Sequence, residues 1–334
     1  MLADIAERGA MAGLGLRGKV AVITGSSKGW GMGCAEALAA QGAKVVINGT
    51  IAQDVDKVVG QVRSGGGEAV GIAASVATME GARRIIGAAM ENFGRLDVLV
   101  NNAGGIRSAT IADMTEDEWD SVIGVQLKGV FNCTSVAVKQ MLKQGQGGRI
   151  INMAGAAGVR GMYANANHAA SKGAVLAATF SWSLELERYG ITVNAVRAAV
   201  RTKTSVPLIG QVREQLAALG RRGLETDREL GFFEPGEAAP IVAWLASDDA
   251  GDVTGQFIGI DGPKLVLWSL AQPQRTLYMF PQWSPELIHE HFKPVFAESA
   301  QRSLGVLEVV PFLGHLTPEL QQRVEKGAAR KTAK

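Results

Sequence analysis

Two residues able to move protons stand four positions apart in the segment NANHAASKG, residues 165–173. In the helix that this segment is predicted to form, His168 and Lys172 lie one above the other on the same face. An imidazole and an ammonium this close could transfer protons during a reaction. They could also be what remains of a site that once did so, and the function depends on which description holds.

A glycine-rich segment, VITGSSKGWG at residues 22–31, closes the first apolar strand and opens a helix. Glycines permit a tight turn there and let backbone amides approach a pyrophosphate at the helix N-terminus, where the helix dipole favours anions. Directly after the first strand of a strand–helix–strand unit, this spacing predicts dinucleotide binding more strongly than a structural turn. The predicted contacts in this loop are Gly25, Ser27, Lys28, Gly29, Trp30 and Gly31.

The next strand ends in VVINGT, residues 45–50, and the chemistry of that end bears on the choice of cofactor. A carboxylate at this place would hydrogen-bond a ribose diol and favour NAD. The segment offers Thr50 and no Asp or Glu, while Lys28 supplies a cation nearby that can pair with a further phosphate. We therefore expect NADP(H) to be favoured over NAD(H).

These loops need a scaffold, and from about residue 19 short apolar strands alternate with longer amphipathic helical stretches. Such repetition predicts parallel strands with helices on both faces. The predicted fold class is α/β, a single Rossmann-like doubly wound parallel sheet of about seven strands. The strand segments are KVAVIT, AKVVIN, EAVGIA, LDVLVN, GRIINM, ITVNAV and GQFIGI.

The alternation stops after IDGP, residues 260–263, which divides the chain into three predicted parts. Residues 1–16 form an N-terminal extension, 17–263 the dinucleotide-binding domain, and 264–334 a helical extension packed on the core or on an oligomer interface. Within the last part, Ser284 is the predicted N-cap of a helix that begins at Pro285. His289 and His291 point apart at a spacing of two, so we expect no metal site.

Composition excludes several classes of function for these 334 residues. Lys and Arg number 34 against 32 Asp and Glu, so there is no electrostatic basis for binding nucleic acid. Cys34 and Cys133 lie in apolar helical stretches without a paired or metal-like spacing, which fits a reducing compartment. No apolar run reaches 18 residues, so we expect no membrane span and a cytoplasmic location.

Over roughly residues 17–262 the sequence resembles the short-chain dehydrogenase/reductase family. The resemblance is carried by TGSSKGWG, by NNAGG at residues 101–105, by the lysine of HAASK and by VTGQFIGIDG. It implies a Rossmann-like domain, descent from enzymes that transfer hydride between NAD(P) and an alcohol or carbonyl, and a small-molecule ligand. It also implies dimers or tetramers that pack through the helices near 116–143 and 163–189.

In that family a tyrosine four residues before the lysine is the general acid or base, and a serine thirteen residues before the tyrosine orients the substrate oxygen. The lysine binds the nicotinamide ribose, and an asparagine in the preceding long helix relays the proton. Position by position, Lys172 is retained. The tyrosine position holds His168, the serine position Gly155 and the asparagine position Gln126.

The resemblance also assigns the remaining cofactor contacts. Where the family has an Asp that contacts adenine, this sequence has Ser75, and Val76 beside it is also a predicted contact. Where the family has a Pro-Gly whose backbone meets the nicotinamide amide, this sequence has Ala198–Ala199. The losses therefore concentrate on the nicotinamide side. Retained contacts in the turn after the fourth strand are Asn102, Ala103 and Gly104.

Three functions follow from this pattern, and the sequence leaves open whether the protein is an enzyme. The first is an NADP(H)-binding, catalytically impaired subunit that pairs with a complete relative or with itself. The second is an active oxidoreductase on a bulky acyl-CoA or sterol-like substrate that uses His168 and Lys172, with Lys172 lowering the imidazole pKa by like-charge repulsion. The third is a non-redox acid–base enzyme. Arg107, Arg160 and Tyr163 are predicted to border the substrate pocket.

Overall fold

The computed structural model describes residues 14–203, 205–206, 209–210, 213, 226–228, 230, 232–261, 264–269, 276–278 and 282–296. Residues Met1–Leu267 and Trp268–Lys334 form two separate compact units. Most of the predicted N-terminal extension, and most of the predicted C-terminal extension, lies outside the described residues.

One sheet of eight strands organises the first unit. The strands are β1 (Val20–Ile23), β2 (Lys44–Gly49), β3 (Glu68–Ala73), β4 (Val98–Asn101), β5 (Gly148–Met153), β6 (Ile191–Ala198), β7 (Phe257–Asp261) and β8 (Lys264–Trp268). They lie in the order β3-β2-β1-β4-β5-β6-β7-β8, and the pairs from β3 through to β7 are parallel. The strand order reverses between β1 and β4, as in a doubly wound sheet. This confirms the predicted fold class.

The structure has eight strands where about seven were predicted, and the extension predicted to be helical from residue 264 begins with the eighth. β8 has the sequence KLVLW, and its side chains alternate between half-buried and exposed positions, with Leu265 and Leu267 exposed. That period of two is typical of a strand with one open face. Because IDGP looks like the end of the alternation, the strand that begins directly after it, at Lys264, was not predicted.

Helices connect the strands and cover the sheet. They are α1 (Gly29–Ala40), α2 (Ala52–Ser64), α3 (Met79–Phe93), α4 (Glu116–Ile123), α5 (Gly129–Gln144), α6 (Ala157–Arg160), α7 (Ala166–Leu186), α8 (Pro235–Ala238), α9 (Pro240–Ala246) and, in the second unit, α10 (Pro285–Phe296). A π-helical turn, Gly124–Lys128, joins α4 to α5 without a break. In α10 the Ser284 hydroxyl accepts a hydrogen bond from the Leu287 amide at 3.2 Å, which confirms the predicted N-cap.

The core lies on both faces of the sheet because successive strand residues point to opposite sides. Val45 and Ile47 pack into the cluster that includes α1 and α9, whereas Val46 packs into the cluster that includes α3 and α5. Cys34 and Cys133 are buried free thiols, one in each cluster, as their apolar context predicts.

By length and composition alone, the continuous helix Glu116–Gln144 could cross a membrane. One face of this helix packs in the core, where Cys133, Ala137 and Met141 are fully buried. A core helix of a globular domain passes the same test, so this helix gives only weak support for a membrane span.

Candidate active site

The loop between β1 and α1 is shaped by close backbone approaches. Gly25 and Gly29 adopt the left-handed conformation, with φ of +63° and +60°. A Cβ on Gly25 would lie 2.7 Å from the Cα of Ala103, and a Cβ on Gly31 would overlap the Asn102 side chain. No side chain caps the N-terminus of α1. Its first amides are therefore suited to an anion, as the sequence predicts.

Two asparagines brace this loop. Asn48 is buried at the end of β2, where its Oδ1 accepts from the Gly25 amide at 3.1 Å and its Nδ2 donates to the Ala74 carbonyl at 3.0 Å. Asn102 Nδ2 donates to the carbonyls of Thr24 and Gly25 at 2.9 and 3.0 Å. Asn48 was not among the predicted contacts, although a polar residue inside the apolar run VVING was an available signal.

The other predicted cofactor contacts gather at the same edge of the sheet. Lys28 and Thr50 are exposed at the ends of the first two β–α connections, and a Cβ on Gly49 would lie 2.6 Å from the Ser27 hydroxyl. Ser75 is exposed after β3, and Val76 beside it is buried. All of these follow the carboxyl ends of parallel strands, where ligands of doubly wound sheets bind.

Lys172 is buried in α7, and its Nζ donates to the carbonyl of Met153 at the end of β5 at 2.5 Å. Burial lowers the pKa of this ammonium to about 8. A Cβ on Gly155 would lie 3.5 Å from the Lys172 Cγ, an ordinary contact. The positions that the family gives to serine and lysine therefore adjoin each other here.

His168 lies half-buried one turn before Lys172. Its pKa falls to about 4, first because burial disfavours the imidazolium and second because Lys172 repels it. The prediction of a lowered pKa is confirmed, but like-charge repulsion is the smaller cause. Nδ1 is buried and has no hydrogen-bond partner. At pH 7 the ring is neutral, with one nitrogen enclosed by protein.

Gln126 is buried in the π-helical turn, where both ends of its amide are engaged. Nε2 donates to the Gly105 carbonyl, and Oε1 accepts from the Ser171 hydroxyl at 3.0 Å. That hydroxyl also lies 2.8 Å from the carbonyl oxygen of His168. A Cβ on Gly104 would lie 3.3 Å from the Gln126 Cγ. Gln126 thus clamps the NNAGG turn to the helix that carries His168.

A buried polar chain, which the sequence analysis missed, aligns these elements. Asn101 Nδ2 donates to the Asn152 Oδ1 at 2.8 Å, and Asn152 Nδ2 donates to the Thr179 hydroxyl at 2.9 Å. Thr179 lies two turns after Lys172 on the same face of α7. The chain therefore fixes α7 against β5, next to the carbonyl that holds Lys172.

The predicted pocket residues border the site to different degrees. Tyr163 lies in the turn before α7 and is 77% exposed. Arg107 is exposed, and its carbonyl accepts from the Asn167 side chain at 3.0 Å. Arg160 ends α6 and is half-buried, and its charge is one cause that lowers the pKa of Arg197. Of the three predicted residues, Arg160 is the least exposed.

A buried ion pair at the ends of β6 and β7 is a further feature that sequence reasoning missed. Arg197 Nη2 donates to the Asp261 Oδ1 at 2.7 Å, with the two residues 5% and 2% exposed. The same Oδ1 accepts from the Ala199 amide at 3.0 Å. An arginine inside the apolar run ITVNAVRA was the available signal, because a buried charge requires a partner.

We predict that His168 makes folding sensitive to acid. Its folded pKa of about 4 lies below the ordinary 6.5, so the unfolded chain binds more protons in between. The free energy of unfolding should therefore be fully maintained above pH 6.5 and should fall by up to about 3 kcal/mol as the pH drops to about 4. Urea unfolding at pH 7 and pH 4.5, in wild type and His168→Gln, measures this.

The variant removes the titrating ring and leaves other groups in place, so its stability should depend less steeply on pH than that of wild type. Lys172 does not contribute in this window, because its own titration lies between about 8 and its usual 10.5. Identical slopes in the two proteins would contradict the prediction.

Comparisons with known proteins agree with this geometry. The family model described as short chain dehydrogenase matches residues 19–208. The chain is 37% identical over 248 residues to the 3-oxoacyl-acyl-carrier-protein reductase FabG of Thermotoga maritima, covering 74% of this chain and 98% of that protein. It is 34% identical over 257 residues to the short-chain reductase protein NovJ of Streptomyces niveus, covering 73% and 92%.

Solved structures give the same result. A short chain dehydrogenase from Mycobacterium avium superposes with a TM-score of 0.75 and 31% identity, over 87% of this chain and 98% of that one. A gluconate 5-dehydrogenase from Burkholderia cenocepacia J2315, in complex with NADP and tartrate, superposes with a TM-score of 0.68 and 29% identity. The match covers 76% of this chain and 97% of that one. With the matched family model and the retained dinucleotide loop, these likenesses show that the chain belongs to the short-chain dehydrogenase/reductase family.

Proposed function

We propose that this protein binds NADP(H) but reduces carbonyls poorly on its own, and that it works as a non-reducing subunit beside a catalytically complete chain. One observation carries the proposal. The loop suited to the dinucleotide phosphates is intact, whereas no hydroxyl stands at positions 155 and 168 next to Lys172.

The phosphate half of the cofactor fits this chain well. The glycine loop admits a pyrophosphate at the N-terminus of α1, and Lys28 and Thr50 suit the extra phosphate of NADP(H). Lys172 would hold the nicotinamide ribose, and the bound nicotinamide would supply hydride chemistry. The gluconate 5-dehydrogenase structure, which contains NADP, supports the cofactor choice.

The reacting end of the site is poorly equipped to deliver a proton. The His168 ring is neutral with Nδ1 enclosed, the amide of Gln126 is engaged at both ends, and Gly155 offers no donor to a developing oxyanion. A positioned acid contributes roughly 10²–10⁴-fold in rate, and one oxyanion donor roughly 10²–10³-fold. Losing both is enough to make the chain a weak reductase.

A specific observation favours a second candidate, an oxidoreductase that uses His168. A neutral imidazole still carries one N–H, and the unpartnered Nδ1 leaves the tautomer undetermined by a hydrogen bond. With Nε2–H as donor and the Lys172 ammonium one turn away, the ring could protonate a substrate oxygen.

Kinetics of the purified protein separate the two candidates. NADPH absorbance is followed with a panel of ketones and acyl-CoA thioesters, and we expect turnover close to the uncatalysed background. Robust turnover that disappears in His168→Ala would overturn the proposal in favour of the second candidate. Conversion of substrate without any change in nicotinamide redox state would instead indicate a non-redox acid–base enzyme.

Association with another chain is supported by large apolar side chains exposed on the long helices. Phe131 and Leu184 are 50% and 81% exposed, on α5 and α7 respectively. We predict a dimer or tetramer by size-exclusion chromatography with light scattering, and a smaller species for Phe131→Glu/Leu184→Glu. Matched substitution of Leu265, exposed on β8, serves as control. A wild-type monomer that also fails to bind a complete family member would contradict the prediction.

A further inference from the structure

We infer that the buried Arg197–Asp261 ion pair closes the place where this chain would seat the nicotinamide carboxamide, so that the dinucleotide is held by its adenosine and phosphate half. The inference rests on the proposed NADP(H) binding and concerns which part of the ligand the protein recognises.

The loop after β6 is the part of the chain placed to meet the ring. It leaves the sheet at the edge where ligands bind, on the β6 side of the reversal in strand order. It also lies over the phosphate loop, because a Cβ on Gly29 would stand 3.3 Å from the Cγ2 of Thr202. A dinucleotide whose pyrophosphate rests on α1 would therefore extend its other half along this loop.

A primary carboxamide needs a donor for its oxygen, and three amides of this loop are already used. The Ala199 amide donates to Asp261 Oδ1 at 3.0 Å. The Arg201 amide donates to the Phe233 carbonyl at 2.7 Å, and the Thr202 amide to the Ser205 hydroxyl at 2.8 Å. Satisfied amides have no hydrogen to offer a ligand unless the protein first gives up its own bonds.

Those bonds are held firmly. Arg197 and Asp261 are both buried and directly paired, so releasing the Ala199 amide would disturb a charge pair in the interior. The second carboxylate oxygen, Oδ2, is buried without a hydrogen-bond partner, so it does not face the cleft as an acceptor for the amide nitrogen. Phe233 is buried, and its β-bridge with Val200 ties the loop to a second segment of the chain.

Calorimetry with the full chain tests the inference through binding alone. NADPH is compared with 2′-phospho-ADP-ribose, which lacks the nicotinamide. We expect the two dissociation constants to agree within about twofold. NADPH binding about tenfold tighter or more would overturn the inference and leave NADP(H) binding intact, whereas no binding of either ligand would overturn the proposed function and the inference with it.

A charge-free variant tests the role of the pair. Arg197→Ala/Asp261→Ala removes both charges together, leaves neither one buried alone, and frees the Ala199 amide. We expect NADPH to bind this variant at least about tenfold more tightly than 2′-phospho-ADP-ribose, while the affinity for the truncated ligand stays near that of wild type. An unchanged ratio in the folded variant would contradict the role assigned to the pair.

The matched control removes another ion pair. Lys44 and Glu68 are paired at 2.9 Å where β2 and β3 begin, at the opposite edge of the sheet. Lys44→Ala/Glu68→Ala should keep the wild-type ratio of the two affinities. Circular dichroism melting shows whether each variant is folded. If Arg197→Ala/Asp261→Ala does not fold, the comparison of NADPH with 2′-phospho-ADP-ribose on the wild-type protein decides the inference.

Discussion

The double variant Gly155→Ser/His168→Tyr is expected to reduce ketones with NADPH at least about 10²-fold faster than wild type. The two substitutions supply a hydroxyl to orient the carbonyl oxygen and a phenol to donate the proton, which together are worth roughly 10²–10⁴-fold or more. Steady-state NADPH oxidation at saturating cofactor, with ketones and acyl thioesters, measures the gain.

The structure has room for a side chain at position 155. A Cβ at Gly155 would make only ordinary contacts, 3.5 Å from the Lys172 Cγ, and this glycine does not have a positive φ. A phenol at position 168 would stand one turn from the Lys172 ammonium, which lowers a phenol pKa towards neutrality. Because reduction needs the protonated phenol, the activity of the variant should fall as the pH rises through a phenol pKa that lies below the ordinary value of about 10.

Gly155→Ala/His168→Phe is the control, since it adds the same carbon framework without hydroxyls. It should remain as slow as wild type, and each single substitution should give less than the double variant. The loop after β6 is the same in all of these proteins. It therefore affects the absolute rate of each variant equally and does not change the ratio of one variant's rate to another's. A double variant no faster than its hydroxyl-free control would show that the missing hydroxyls are not what limits reduction.

Much of the fold could be predicted from the sequence because it depends on local patterns. Seven apolar segments bounded by glycines and helical stretches became the strands β1 to β7, and Gly25 and Gly31 occupy positions where a side chain would collide with the NNAGG turn. β8 was missed because the segment KLVLW follows a presumed domain end, and no helix lies between it and β7 to mark it as a separate strand.

Features of the site that follow from the spacing of residues along the chain could be predicted. Features that follow from burial, or from contacts between residues distant in sequence, could not. The spacing of His168 and Lys172 gave their mutual repulsion, but the larger cause of the low imidazole pKa is desolvation, which no spacing reveals. The pairing of Arg197 with Asp261 joins residues 64 positions apart. Only the register of β6 against β7 brings them together.

Gly31→Ala is expected to weaken NADPH binding at least about 10²-fold. A Cβ at this position would overlap the Asn102 side chain and would lie 2.8 Å from the Gly25 carbonyl oxygen and 2.9 Å from the Ser26 Cα. Backbone atoms cannot swing aside as a side chain can, so the loop must move and its amides lose their approach to the pyrophosphate. Losing two such charge-assisted hydrogen bonds is worth about this factor.

Gly60→Ala is the matched control, because Gly60 is exposed in the middle of α2 and a Cβ there would meet nothing within 4 Å. It should bind NADPH as wild type does and be slightly more stable, by about 1 kcal/mol, since alanine favours a helix. Calorimetry gives the affinities and thermal melting shows that the Gly31→Ala protein is folded. If that folded protein bound NADPH as tightly as the control, the phosphates would be held elsewhere and the shape of the loop would not contribute to recognition.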